Sequence, residues 1–142
     1  MGFSVTASSG IIGISIIVII EISVGSIYPA YQDVTESYTE LKDRCLEQLQ
    51  TDLTIFSVNA TINGTSHDLT ITVKNTGSMI IETTKCHVLI NGTLHQFQYS
   101  NEYIYPETKE DLILFQLPGT GSQRVKIITK NGIADYYSYT VT

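Results

Sequence analysis

The chain has 142 residues, enough for one ordinary domain and a small further element. Its net charge of −6 argues against nucleic acid as a partner, because holding phosphates needs clustered Lys and Arg. Two cysteines, Cys45 and Cys86, are too few for a disulfide framework, and a bridge between them is not expected.

The first element is apolar. From Phe3 to Ala30 the only ionised side chain is Glu21. A helix rises about 1.5 Å per residue, so about 20 residues cross a hydrocarbon core. Ile11, Ile12, Ile14, Ile16, Ile17, Val18, Ile19 and Ile20 are the expected membrane anchor. The competing reading is a cleaved secretory signal, with Val24 and Ser26 marking a small-residue cleavage site. The lack of a basic stretch ahead of the run, and Glu21 directly after it, favour an uncleaved anchor.

All eight Lys and Arg lie from Lys42 onward, so neither flank offers a strong positive-inside cue. The downstream side carries everything large, including three N-x-[ST] sequons at Asn59, Asn63 and Asn91, the candidate glycosylation sites. The expected arrangement is a single pass of the cytoplasmic membrane with the C-terminal domain outside. Glu21 has two readings. It lies at the outer interface, where water reaches it, or within the membrane, where its charge needs a partner such as a neighbouring subunit's amine.

After Pro29, the residues Val34, Tyr38, Leu41, Cys45 and Leu49 recur at intervals of three and four. That is one narrow helical stripe. It either packs on the following domain or zips to another helix, and Cys45 on it is either a small buried hydrophobe or a cross-link between paired stalks. A homodimer or higher assembly therefore stays open.

From about Leu53 the period changes to alternation. The runs LTIFSV, HDLTITVK, MIIETTKCHVLI, TLHQFQY, DLILFQL, QRVKIITK and IADYYSYTV read as about seven strands. Leu69, Ile71 and Val73 share one face, as do Cys86, Val88 and Ile90. Asn63-Gly64, Asn91-Gly92 and Asn131-Gly132 are expected at the centres of type I′ hairpin turns. The expected fold class is all-β: an immunoglobulin-like antiparallel β-sandwich preceded by a long N-terminal transmembrane and amphipathic α-helix. The ranges are 1–30 for the anchor, 31–50 for the stalk and 51–142 for the sandwich.

No catalytic constellation is present. There is no phosphate-cradling loop, nucleophile elbow or zinc-binding helix motif, and the acidic residues are dispersed. His67, His87 and His95 are expected on strand surfaces rather than on a metal. The tyrosines around Tyr99–Tyr105 and Tyr136–Tyr139 read as strand residues with wet hydroxyls, or as an adhesive surface. The chain is read as non-enzymatic, without cofactor or metal.

MGFS at the start, the apolar helix, the stalk ending LQTDL, then LTITVKNTGS and VKIITKNGIADYYSY together resemble the accessory proteins F and G of the archaellum, the archaeal flagellum. Protein F is the closer, mainly through MGFS. Archaellins share this style of sandwich but carry a basic, cleaved leader, which favours the membrane-anchored relatives. The resemblance implies a motility protein of the cell envelope. It would be stator-like, with an extracellular β-sandwich that binds the S-layer protein and a partner accessory protein. The alternative is an archaellin-like or pilin-like filament subunit.

Overall fold

Gly2–Gln50 forms one α-helix of 49 residues, α1, in the computed structural model, which describes residues 2–141. The outermost residues of the expected ranges 1–30 and 51–142 lie outside the described residues. Pro29 stands inside the helix, where its ring removes one backbone donor. With about a third of the chain helical, the description all-β is too narrow. The correct coarse class is one long N-terminal helix followed by antiparallel sheets.

Nine strands follow among the described residues: β1 (Leu53–Asn63), β2 (Ser66–Asn75), β3 (Ile81–Glu82), β4 (His87–Ile90), β5 (Thr93–His95), β6 (Tyr103–Ile104), β7 (Lys109–Pro118), β8 (Gly121–Ile128) and β9 (Ala134–Val141). They form a three-stranded sheet in the order β1-β2-β7, a four-stranded sheet in the order β5-β4-β8-β9, and a two-stranded ribbon of β3 and β6. Every pairing is antiparallel. The chain divides into two compact units, residues 2–43 and residues 44–141, so the last helical turns belong with the sheets.

Alternation places the core. Leu69, Ile71 and Val73 of β2, Leu112 and Leu114 of β7, and Val88, Val125 and Ile127 of the other sheet are buried in one cluster. Each such side chain contributes about 1.5–3 kcal/mol. Cys86 lies in that cluster as expected, and both cysteines are free.

Two runs expected to be continuous are broken. MIIETTKCHVLI contains β3, a 3-10 turn at Thr83–Lys85, and β4. Ile81 pairs with Ile104 of the ribbon, whereas Val88 pairs with Ile127 of the four-stranded sheet, so the turn is where the chain changes partners. TLHQFQY is a strand only through His95. Gln98 then bridges Ile113 of the opposite sheet through two 2.8 Å backbone hydrogen bonds.

The Asn-Gly pairs also differ from expectation. Asn91 and Gly92 both have positive φ, as a type I′ turn requires. At the first hairpin Asn63 still pairs with Ser66, so Gly64-Thr65 forms the loop. At the third, Ile128 pairs with Ala134, leaving a five-residue loop that holds Asn131 and Gly132.

Candidate functional site

Three features stand apart from ordinary packing: the apolar helix, the junction at its end, and the outer face of the four-stranded sheet.

Among the described residues, α1 is the one helix long and apolar enough to cross a membrane. Ile11, Ile12, Ile14, Ile16, Ile17, Val18, Ile19 and Ile20 are all exposed, and Glu21 follows them, also exposed. The segment is less polar than its composition suggests. Ser15 Oγ donates to the Ile11 carbonyl at 2.8 Å, Ser23 Oγ to Ile19 at 2.7 Å and Ser26 Oγ to Ile22 at 2.8 Å. A hydroxyl satisfied within its own helix removes most of its objection to hydrocarbon. The stripe Val34, Tyr38, Leu41, Cys45 and Leu49 is exposed as well, so of the two roles expected for Cys45 the buried hydrophobe does not hold.

The end of α1 is held by two turns of the sheet unit. A helix leaves its last four carbonyls without helical partners. Here the Gln50 carbonyl accepts the backbone N–H of Ser78 at 2.8 Å and of Met79 at 3.2 Å. The Asp52 carbonyl accepts Thr76 and Gly77 N–H, each at 3.1 Å, and the Asp52 carboxylate accepts the Thr76 hydroxyl at 2.8 Å. From the other side, Asn131 Nδ2 donates to Thr51 Oγ1 at 2.9 Å, and Gln48 Nε2 donates to the Asn131 carbonyl at 3.0 Å. Asn131 of the third Asn-Gly pair thus ties the helix end rather than serving only its own hairpin.

Asn75 organises the first of these turns. It is fully buried at the end of β2. Its Nδ2 donates to Met79 O at 2.7 Å and Ile104 O at 2.9 Å, while its Oδ1 accepts Gly77 N–H at 3.0 Å. The motif NTGS is therefore a turn folded around one buried amide, with its N–H groups aimed at the helix end.

A polar chain inside the core corrects two further expectations. His67 is fully buried, not on a surface, and Tyr139 has a buried hydroxyl rather than a wet one. Tyr139 Oη donates to Gln123 Oε1 at 2.8 Å, so it accepts from His67 Nε2 at 3.3 Å. His67 Nδ1 is then a bare acceptor without a partner. Burial pushes the Tyr139 hydroxyl up to about 12. Parity was the missed signal: residue 67 is in phase with Leu69, Ile71 and Val73. His87 is exposed, as expected, and among the described residues no group of three or more His, Cys, Asp or Glu stands close enough to hold a metal.

The two sheets differ on their outer faces. On the three-stranded sheet, Lys74 pairs with Glu107, Asp111 accepts the Thr72 hydroxyl at 2.7 Å, and the Lys109 ammonium lies 3.2 Å from the centre of the Phe56 ring. On the four-stranded sheet, Leu94, Leu89, Lys126 and Tyr136 form one row across all four strands. The Arg124 guanidinium lies 4.4 Å and the Lys126 ammonium 5.0 Å from the centre of the Tyr136 ring. A hydrogen bond with Lys126 holds the Tyr136 hydroxyl below its ordinary range. Tyr136 thus fits the adhesive reading of the tyrosines.

The sequon asparagines are separated. Asn59 is exposed in the middle of β1, Asn63 donates to Asp68 Oδ2 at 3.3 Å, and Asn91 accepts Arg124 N–H at 3.0 Å through its Oδ1.

No protein-family model matches the chain. The chain is similar to a flagella-related protein F of Methanocaldococcus jannaschii, with 28% identity over 145 residues that cover 99% of this chain and all of the relative. The chain also aligns with two solved structures of a CARDB domain from Pyrococcus furiosus. The crystal structure, determined with di-metal ions, has a TM-score of 0.43 and the solution NMR structure 0.44. Each is 20% identical and spans 65% of this chain, covering 89% and 95% of its own. The likeness to protein F runs the whole length of both chains, and the helix it includes is long and apolar enough to cross a membrane.

Proposed function

We propose that this F-like chain is a non-enzymatic, membrane-anchored component of the archaellum motor that acts as a stator. Residues 1–30 fasten it to the cytoplasmic membrane, 31–50 form a stalk, and 51–142 form an immunoglobulin-like β-sandwich outside the membrane. The sandwich grips the S-layer protein and a partner accessory protein. The observation that carries the reading is the match to a flagella-related protein along the whole chain, apolar helix included.

The physics is consistent with that role. A stator must resist torque, so it needs one attachment in the membrane and another in a fixed layer. Force between them passes through the end of α1, where Gln50 and Asp52 accept four backbone N–H groups from the 76–79 turn. Modest affinity per copy suffices when many copies act together. The test is sedimentation of the full chain, reconstituted in vesicles, with isolated S-layer. Enrichment over vesicles carrying an unrelated anchored sandwich is expected; equal recovery contradicts the reading.

A filament subunit is the second reading, favoured by Glu21 standing at the end of the apolar run on a continuous helix. Under it, Glu21 pairs with a neighbouring subunit's amine, and Glu21→Gln impairs assembly. Mass spectrometry of the mature protein separates the two: an intact N-terminus speaks for the anchor.

A further inference from the structure

We infer that the outer face of the β5-β4-β8-β9 sheet docks a polypeptide segment that presents carboxylates beside apolar side chains. The inference rests on the reading of the sheet unit as an external grip and adds the chemistry of what it grips. Three cross-strand rows make up the face: His87, Ile128 and Ala134; Leu94, Leu89, Lys126 and Tyr136; and Asn91, Arg124 and Ser138. None of these residues is acidic, although eight Asp and Glu lie between residues 51 and 141 of a chain whose net charge is −6. Asp135, beside Tyr136 in sequence, pairs with the buried Ile127 and so belongs to the opposite face.

The cations of this face meet the Tyr136 ring and hydroxyl rather than a carboxylate. Lys74 pairs with Glu107 and Lys85 with Glu82, but among the described residues neither Arg124 nor Lys126 has a carboxylate partner. Arg124 is also fixed in place. Its N–H donates to Asn91 Oδ1 at 3.0 Å, and its carbonyl accepts Asn91 N–H at 2.9 Å. A guanidinium on an anchored backbone, resting on an aromatic ring, is set up for a two-pronged contact with a carboxylate. Leu94, 62% exposed, and Leu89 continue the same row. A purely anionic polymer leaves that apolar half of the row uncovered, and a polypeptide covers both halves.

The test uses the full chain in detergent micelles and three probes: the random copolymer poly(Glu,Tyr), poly-Glu, and polygalacturonate. Poly(Glu,Tyr) is expected to bind most tightly. The Arg124→Gln/Lys126→Gln pair is expected to weaken that binding about tenfold or more, as loss of paired charges at a contact does. The charge-matched Lys74→Gln/Lys109→Gln pair should change it less than about twofold, because both residues lie on the other sheet. Equal loss in both pairs, or none in the first, overturns the proposal. So does polygalacturonate binding as tightly as the copolymer, which assigns an anionic polysaccharide instead. Self-association of the chain that disappears in the first pair, without copolymer binding, assigns the face to a second copy and also overturns it. No membrane or S-layer enters the assay. Binding through Arg124 and Lys126 by a chain that cells keep in the aqueous fraction would sink the anchor and leave the docking face standing.

Discussion

A methyl group on the α-carbon of Gly77 would lie 2.5 Å from the carbonyl oxygen of Gln50. The turn that caps α1 therefore approaches the helix end with no room for a side chain, because Asp52 N and the Thr51 carbonyl carbon crowd the same point. Gly77→Ala must push the 76–79 turn off its acceptors. Overpacking against backbone costs about 1–3 kcal/mol, and the variant is expected near the upper end. Urea unfolding of the detergent-solubilised chain measures it. A loss below about 0.5 kcal/mol, the range of an indifferent surface change, would show that the contact is not made.

Asn75→Leu keeps a similar volume but strands three backbone groups, the carbonyls of Met79 and Ile104 and the N–H of Gly77. At about 1 kcal/mol each, a loss near 3 kcal/mol is expected. Asn75→Asp is no rescue, since a carboxylate oxygen then faces two carbonyls. A variant of either kind as stable as the parent chain would remove Asn75 from the centre of the turn.

Much of this was legible beforehand. The phase of Leu69, Ile71 and Val73 gave the buried face of β2, and that of Cys86, Val88 and Ile90 gave β4, because strand side chains alternate with a period of two. The same rule covers His67 and Tyr139, which share the inward phase of their strands although polar side chains of this kind are more often wet. What no local pattern carries is partner choice. MIIETTKCHVLI reads as one strand, and only the pairing of Ile81 with Ile104 and of Val88 with Ile127 shows why it breaks. Likewise the NTGS turn looks like a simple strand terminator. Its contact with Gln50 spans 28 residues of sequence, and the Gln48 contact with Asn131 spans 83.

The two thiols should behave oppositely. Cys45 is exposed, whereas burial pushes the Cys86 thiol from its ordinary value near 9 up to about 11. At pH 8 a maleimide is expected to label one thiol in the folded chain and two after denaturation. The raised value also sets a sign. Cys86 stays protonated in the fold where the unfolded chain has begun to ionise, so its contribution is whole below about pH 9 and is lost as pH rises toward about 11. Tyr139 acts in the same direction from its ordinary value of 10 up to about 12. Stability should fall across that alkaline range, and Cys86→Ala should flatten the part between about 9 and 11. An unchanged slope in that variant would contradict the burial-driven shift.

Ile16→Lys places a charge in the middle of the apolar run. On the insertion scale, exchanging Ile for Lys near a helix centre costs roughly 3–4 kcal/mol. The variant is expected to shift from membrane to aqueous or aggregated fractions, while Ile16→Leu stays. Quantitative blotting of the fractions checks it, and full membrane retention of the lysine variant would mean that the run does not span.

The central claim is that the apolar helix fastens the chain to the cytoplasmic membrane while the sheets work outside. Its most direct test is carbonate extraction of membranes from the source cells, paired with protease treatment of intact spheroplasts. The account predicts full-length chain in the extracted membrane pellet and loss of the sheet unit to external protease. Full-length chain in the aqueous fraction, or sheets cleaved only after the spheroplasts are lysed, would contradict it.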